Sequence, residues 1–334
     1  MRVFVQINND RSCLLNADRI DTSNEEYTKV YRGDALIGIF DNSYLVCAYV
    51  SKVFGDEYST MDMTVIQADK IIYGGTGFEI SVENGKEVYT HNEDNKLPYE
   101  IEHMYPDYSL YPDLTKDIAY GFLTRGCPNN CPFCIVSKKE GFKSQKVADL
   151  DEFWNGQKLI KLLDPNILAC REHLELLQQL ADSGAWVDFT QGLDARFINE
   201  DNIALLKKIK IKMIHFAFDF MKNEKRIIEG LKLAKEHLGI DSRDSIVYML
   251  TNYDTTIHDD LYRVRKIKDV GYSPDVRIYR KTSLPRPHIL RDLQRWCNNR
   301  MLYQSSKFFD YVPRSDGKPI REIYAEILKD CEEV

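Results

Sequence analysis

The sequence predicts an α/β chain. It reads as a six-stranded parallel sheet, curled or open, behind a smaller N-terminal α/β domain and ahead of a helical C-terminal tail. Three observations carry this. The 334 residues exceed one ordinary domain of roughly 150 and suggest two. From about residue 117 onward, strand-length apolar runs alternate with stretches of helical spacing. The charge divides at the same place: residues 1–114 hold nine basic against twenty acidic side chains, the remainder 36 against 32, so a total of −7 is −11 joined to +4.

In the first part, residues 2–7, 35–40 and 44–49 are apolar runs of strand length, and 70–73 leads into Gly74-Gly75-Thr76-Gly77. Glycines after a strand permit a tight turn and close backbone approach. These elements define residues 1–98 as the first domain. The polar stretch 91–114, with three prolines and no clear period, marks a linker, placed at 99–116. The regular part, 117–284, offers strands at 118–123, 158–163, 186–190, 212–218, 245–251 and 275–279, with helical spacing at 141–155 (weakly), 170–182, 199–209, 223–238 and 257–269. Leu174, Leu176, Leu177 and Leu180 illustrate the helical period. Residues 285–334 form the tail. No apolar run approaches the roughly 18 residues that cross a membrane, and no leader pattern opens the chain, so no membrane partner and a cytoplasmic location are expected.

Eight cysteines in such a chain are expected to be reduced thiols. Cys13, Cys47, Cys170, Cys297 and Cys331 are scattered and read as small apolar residues. Cys127, Cys131 and Cys134 fall within eight residues, directly after the first strand of the regular part. The carboxyl end of a strand in a parallel sheet is where ligands bind. Three thiolates at these spacings can converge on zinc, given a fourth ligand, or on three irons of a four-iron cluster.

The C-x3-C-x2-C spacing, with Phe133 before the last cysteine, following the first strand of six β/α repeats, resembles the radical S-adenosylmethionine enzymes over about residues 115–285. The resemblance implies a partial (β/α)6 barrel. It also implies a [4Fe–4S] cluster on Cys127, Cys131 and Cys134, whose open iron takes the amino and carboxylate groups of S-adenosylmethionine, with Phe133 near the adenine. Reductive cleavage would give a 5′-deoxyadenosyl radical acting on an unknown substrate, with the electron supplied by a flavodoxin or ferredoxin-type donor. Against the family pattern, Asp164 and Asn166 stand after the second strand in place of a glycine-rich stretch, as candidates for the cofactor's amino group. Gln191, Gly192, Asp194 and Arg196 follow the third strand and suit ribose hydroxyls and a carboxylate. The fourth places His215 and Asp219 on one face with Met213 and Ala217, as weak catalytic candidates. The fifth ends in Thr251 and Asn252 where a glycine run is usual, so Asn252 is the candidate adenine contact.

The N-terminal domain resembles the cobalamin-binding class of the same superfamily. Neither His91 nor His103 sits in the D-x-H-x-x-G motif, so cobalamin, and with it a cobalamin-dependent methyltransferase, is an alternative that is not favoured. Seven basic residues crowd Arg277–Arg300, including Arg277, Arg280 and Arg291, either as a solvated face or as a site for an anionic substrate. An acidic first third disfavours nucleic acid, although a zinc-stabilised nucleic-acid-binding protein is the reading from a different class. It also directs acidic electron donors toward the positive half, near Arg277 and Arg280.

Overall fold

The computed structural model describes residues 2–7, 10–17, 19–24, 26–41, 46–52, 68–83, 86–90, 92, 96–110, 112–241, 243–314 and 317–334. The chain divides into two compact units, Met1–Leu110 and Tyr111–Val334.

In the first unit, β1 (Arg2–Ile7) pairs antiparallel with β2 (Asp10–Ala17). Strands β3 (Arg19–Asp21), β4 (Tyr27–Arg32) and β5 (Ala35–Asp41) form an antiparallel meander. β6 (Val46–Ser51) runs antiparallel to β1 and parallel to β7 (Lys70–Gly74), giving the order β2-β1-β6-β7. A hairpin, β8 (Ile80–Glu83) with β9 (Lys86–Tyr89), follows. Side chains on β6 alternate, as a strand requires. Ala48 and Val50 join Ala17, Ile20 and Val30 in one cluster, while Cys47 and Tyr49 meet Ile101 in another. Ile101 lies on α1 (Tyr99–Glu102), so the start of the expected linker belongs to this unit's core.

The described residues of this unit are richer in antiparallel strands than the expected cobalamin-binding-like α/β domain. Among the described residues up to 98 the regular elements are strands and one 3-10 turn, and of the described pairings only β6·β7 is parallel. The physical reason lies in short polar turns such as Arg32-Gly33-Asp34, which close hairpins where a parallel sheet needs crossovers of a dozen or more residues. His91 lies outside the described residues, and His103 ends α1 and stacks on Tyr99 at 3.9 Å.

The second unit opens with α2 (Pro112–Thr115) and β10 (Ile118–Gly121). A two-residue strand β11 (Thr124–Arg125) precedes the cysteines and α3 (Val136–Glu140) follows them, before β12 (Gln145–Lys146) returns against β11. Next come β13 (Leu159–Leu162), α4 (His173–Ser183), β14 (Trp186–Phe189), α5 (Glu200–Leu206), β15 (Lys210–Ala217), α6 (Glu224–Leu238), β16 (Ser245–Thr251), α7 (Ile257–Val270) and β17 (Ser273–Ile278). The six long strands form one wholly parallel sheet in the order β10-β13-β14-β15-β16-β17. An order that never reverses sends each right-handed crossover to the same face.

Local signals explain where these helices stop and start. Gly184, Gly239 and Gly271 take left-handed caps after α4, α6 and α7, and Asn199 and Thr256 form capping boxes before α5 and α7. The helix expected at 141–155 is absent. Gln145–Lys146 pair with β11 and the Asp149/Glu152 capping box supports only one 3-10 turn, so the connection from β10 to β13 is spent on the cysteine loop.

The tail is helical, as expected, with α8 (Ile289–Asn298), α9 (Arg300–Ser305), α10 (Ile320–Ile323) and α11 (Ala325–Leu328). α8 covers the edge strand: Asn298 accepts from the Val276 amide at 2.8 Å and Gln294 donates to the Val276 carbonyl at 2.8 Å. Arg291 is not a solvated cation but ties the carbonyls of Lys281, Leu284 and Pro285, whereas Arg295 and Arg300 are exposed. Among the described residues no helix is long and apolar enough to cross a membrane.

Candidate functional site at the cysteine loop

The loop leaves β10 through Leu123 and Thr124, both fully buried. Gly126 turns it at φ +84°, where a side chain would overlap the Lys143 carbonyl, so glycine alone lets residues 126 and 143 approach. The Cys127 amide then donates to the Gly141 carbonyl at 3.2 Å, and Ser137 Oγ donates to the Cys127 carbonyl at 2.9 Å. Asn130 takes a positive φ of 44°, and the Cys134 amide donates to the Cys131 carbonyl at 2.9 Å. The result keeps three half-buried thiols on one short loop.

Burial, then Cys134, Asp219 and Cys127, push the Cys131 thiol up to about 11. Burial also raises Cys134, with Cys127 and Asp219 adding to it. Three thiolates here repel each other in a poorly solvated place, and positive charge held between them would relieve that repulsion.

Among the described residues no group of three or more His, Cys, Asp or Glu side chains is gathered to hold one metal ion. Zinc–sulfur bonds of 2.3 Å in a tetrahedron bring thiolates to about 3.8 Å from each other. A four-iron cluster takes each cysteine on a different iron and so asks for a wider triangle. The sulfur-only donor set, with the Asn166 amide beside Cys127 and the Val136 backbone N–H on Cys134, is one that a four-iron cluster takes.

The neighbouring strand ends surround this loop. Asp164, expected as a candidate cofactor contact or a turn and cap residue, clasps the loop. Its carboxylate accepts the Leu123 amide at 3.2 Å, the Thr124 amide at 2.5 Å and Thr124 Oγ1 at 2.7 Å, leaving it 4% exposed. Asn166, also buried, places Nδ2 3.6 Å from Cys127 Sγ and 3.4 Å from Asp194 Oδ2. After β14, Arg196 grips Asp194 through Nε at 2.8 Å and Nη2 at 2.6 Å, and Asn129 from the cysteine loop donates to the same carboxylate at 2.9 Å. α6 fixes this turn: Gly230 lies so close to the Ala195 carbonyl that any side chain would collide with it.

A cavity of about 820 Å³ opens beside Cys131, lined among others by Arg196, Asp219, Phe220 and Tyr253. An adjoining cavity of about 110 Å³ shares Cys131, Arg196 and Asp219 and adds Asn166 and Gln191. Phe133 stacks on Phe220 at 5.6 Å and meets Tyr253 edge-on at 5.3 Å, making an aromatic wall.

Asp219 anchors on the Leu250 amide at 2.8 Å, and burial pushes its carboxyl up. Arg263, fully buried, ties the same ends: it donates to the carbonyls of Phe218, Asp219 and Leu250 and pairs with Asp260. Asn252, expected at the adenine, takes a positive φ of 63° and gives its Nδ2 to the Tyr279 carbonyl at 2.8 Å, so its amide is spent on the backbone.

His215 does not line these cavities. It sits within the sheet, 6% exposed, with Nδ1 2.9 Å from the Phe189 carbonyl and its ring stacked on Tyr248 at 5.0 Å. A carbonyl only accepts, so Nδ1 carries the proton. Arg277 pairs with Asp275 at 2.6 Å and Arg280 covers the Tyr279 ring.

Asn129, Phe220, Tyr253 and Arg263 were not legible as site residues. Asn129 sits inside the cysteine spacing, and Tyr253 follows Asn252, so position offered a signal for those two; Arg263 is one charge among many on a helix. No protein-family model matches the chain, and no curated protein matches it.

Proposed function

We propose that the protein is a radical S-adenosylmethionine enzyme, with a [4Fe–4S] cluster on Cys127, Cys131 and Cys134. The observation that supports this most is the placement of the triplet. It follows the first strand of a six-stranded parallel sheet of unbroken order, and opens on the 820 Å³ cavity. Such an order is compatible with a partial (β/α)6 barrel, whose sites gather at the carboxyl ends of its strands.

In this reading Cys127, Cys131 and Cys134 would hold the cluster, which would supply the electron for reductive cleavage of S-adenosylmethionine to methionine and a 5′-deoxyadenosyl radical. The chain's own residues position and shield. Arg196 presents a guanidinium to the cavity for the cofactor's carboxylate, while Asp219 presents a carboxylate for its ammonium group. Phe133, Phe220 and Tyr253 offer an apolar wall for the adenine, and Gln191 stands at the smaller cavity for the ribose. Asp164 holds the loop instead of the cofactor. The substrate is left as an unknown, with Lys222 at the rim offering a positive charge to an anionic one. The electron comes from a flavodoxin or ferredoxin-type partner in a reducing, cytoplasmic setting.

Anaerobic reconstitution tests this. Four irons and four sulfides per chain, with 5′-deoxyadenosine formed on adding dithionite and S-adenosylmethionine, are expected, and all are lost in C131A. A four-iron protein that makes no 5′-deoxyadenosine overturns the proposal. One zinc per chain without iron overturns it in favour of the zinc-binding alternative.

A further inference from the structure

Asn166 follows β13 and begins the short 3-10 turn Ile167–Ala169. Its backbone carbonyl accepts from Ser144 Oγ at 2.8 Å, and the residue is 2% exposed, so its amide has little freedom. Nδ2 faces two acceptors, Cys127 Sγ at 3.6 Å and Asp194 Oδ2 at 3.4 Å. Neither a thiolate nor a carboxylate can donate, so the NH2 end must point to them. The opposite end, Oδ1, is buried with no hydrogen-bond partner. An unpaired buried carbonyl is unfavourable. The fold tolerates it and keeps the N–H groups on sulfur and carboxylate.

The three sulfurs are not equivalent in this respect. Cys134 has the Val136 backbone N–H and Cys127 has the Asn166 amide, and among the described residues no other side-chain N–H reaches the three sulfurs. The amide also joins Cys127 to the turn in which Asn129 and Arg196 hold Asp194.

We infer that Asn166 is a positioning residue that sets the electron affinity of the cluster through an N–H···S bond to Cys127. This rests on the proposal that the three cysteines hold a four-iron cluster. Reduction adds negative charge, which spreads onto the cysteine sulfurs. A donor on one of them stabilises the reduced form more than the oxidised form, which raises the potential. No bond forms or breaks and no proton leaves Asn166.

The test is a redox titration of the anaerobically reconstituted full chain, followed by the electron-paramagnetic-resonance signal of the reduced cluster. In N166A, at the potential where the wild type is half reduced, the reduced-to-oxidised ratio is expected to fall about tenfold, equivalent to about 59 mV for one electron. N166L, which keeps the branched shape, is expected to behave alike and decides the matter if N166A folds poorly. N129A removes a donor to Asp194 but none to sulfur, and is expected to leave the ratio within twofold of wild type.

A loaded cluster whose ratio is unchanged in the Asn166 variants overturns the inference while leaving the proposed function intact. An equal shift in N129A overturns it too, by assigning the effect to Asp194. A wild type that loads no cluster overturns the proposed function itself, and the inference falls with it.

Discussion

Two carboxylates stand at neighbouring strand ends, Asp164 after β13 and Asp194 after β14, and burial leads them to opposite outcomes. Asp164 meets only backbone amides and one hydroxyl, and burial outweighs these donors, pushing its carboxyl up to about 6. Burial pushes Asp194 up as well, but Arg196 and Asn129 more than offset it and hold its carboxyl below the ordinary value. Both oxygens of Asp194 are engaged by ionic or amide donors, and it stays charged beside the thiols. The difference separates a clasp, which fixes the loop, from a hub, which carries charge into the site. Residue type is the same and both follow a strand of the parallel sheet; the partners decide.

The strongest test of that lesson is a third buried carboxylate. Asp260 has an arginine partner, as Asp194 does, yet burial pushes its carboxyl up, as with Asp164. Here the arginine is the hub: Arg263 is divided between Asp260 and the carbonyls that end β15 and β16. R263M would leave three carbonyls and a carboxylate buried without it, and is expected to cost roughly 3–5 kcal/mol in chemical denaturation. A loss below about 1 kcal/mol would mean the strand ends hold themselves.

D194N comes next. The pair is partly exposed, with 11% of the Asp194 side chain and 25% of the Arg196 side chain accessible, so the expected loss is about 2–3 kcal/mol, less than for a sealed pair. The neutral amide also places an NH2 among the donors of Asn129 and Arg196. Lower iron content after reconstitution is therefore expected alongside the loss of stability. A variant as stable as the wild type would reduce Asp194 to a turn residue.

The sequence made the parallel sheet and the cysteine loop readable because both rest on local chemistry. Runs such as Ser245–Thr251 alternate with capped helices, and Gly126 with Cys127, Cys131 and Cys134 lies within nine residues. Partnership was not readable. Asp164 and Asn166 are two residues apart, both face the cysteine loop, and yet one binds backbone and the other binds sulfur. Asn252 looked like a ligand because it ends a strand, but its positive φ turns the amide onto Tyr279. The N-terminal strands were visible as apolar runs at 2–7 and 70–73, but strand direction depends on what connects them.

The smallest expected effect, in D164N, discriminates best because its pH trend runs opposite to that of D194N. At neutral pH the amide places its NH2 against N–H groups, for a loss of about 1–2 kcal/mol, offset in part because a desolvated charge disappears. In the wild type the folded value of about 6 lies above the ordinary 3.8, so the folded state takes up its proton first as pH falls. Folding stability from this group therefore increases from about pH 6 down to 3.8 and declines as pH rises through that window. Asn does not titrate, so the gap between wild type and D164N should widen on acidification from pH 6.5 to 4.5. For D194N the sign is the reverse. Asp194 stabilises the fold above 3.8 and loses that contribution as pH falls through its lower folded value, so the gap between wild type and D194N should shrink only at strongly acid pH. Denaturation midpoints of wild type and D164N from pH 6.5 to 4.5, and of wild type and D194N below pH 3.8, measure the two trends. A D164N gap that narrows between pH 6.5 and 4.5 would show that the backbone donors overcome burial, making the clasp as firmly charged as the hub.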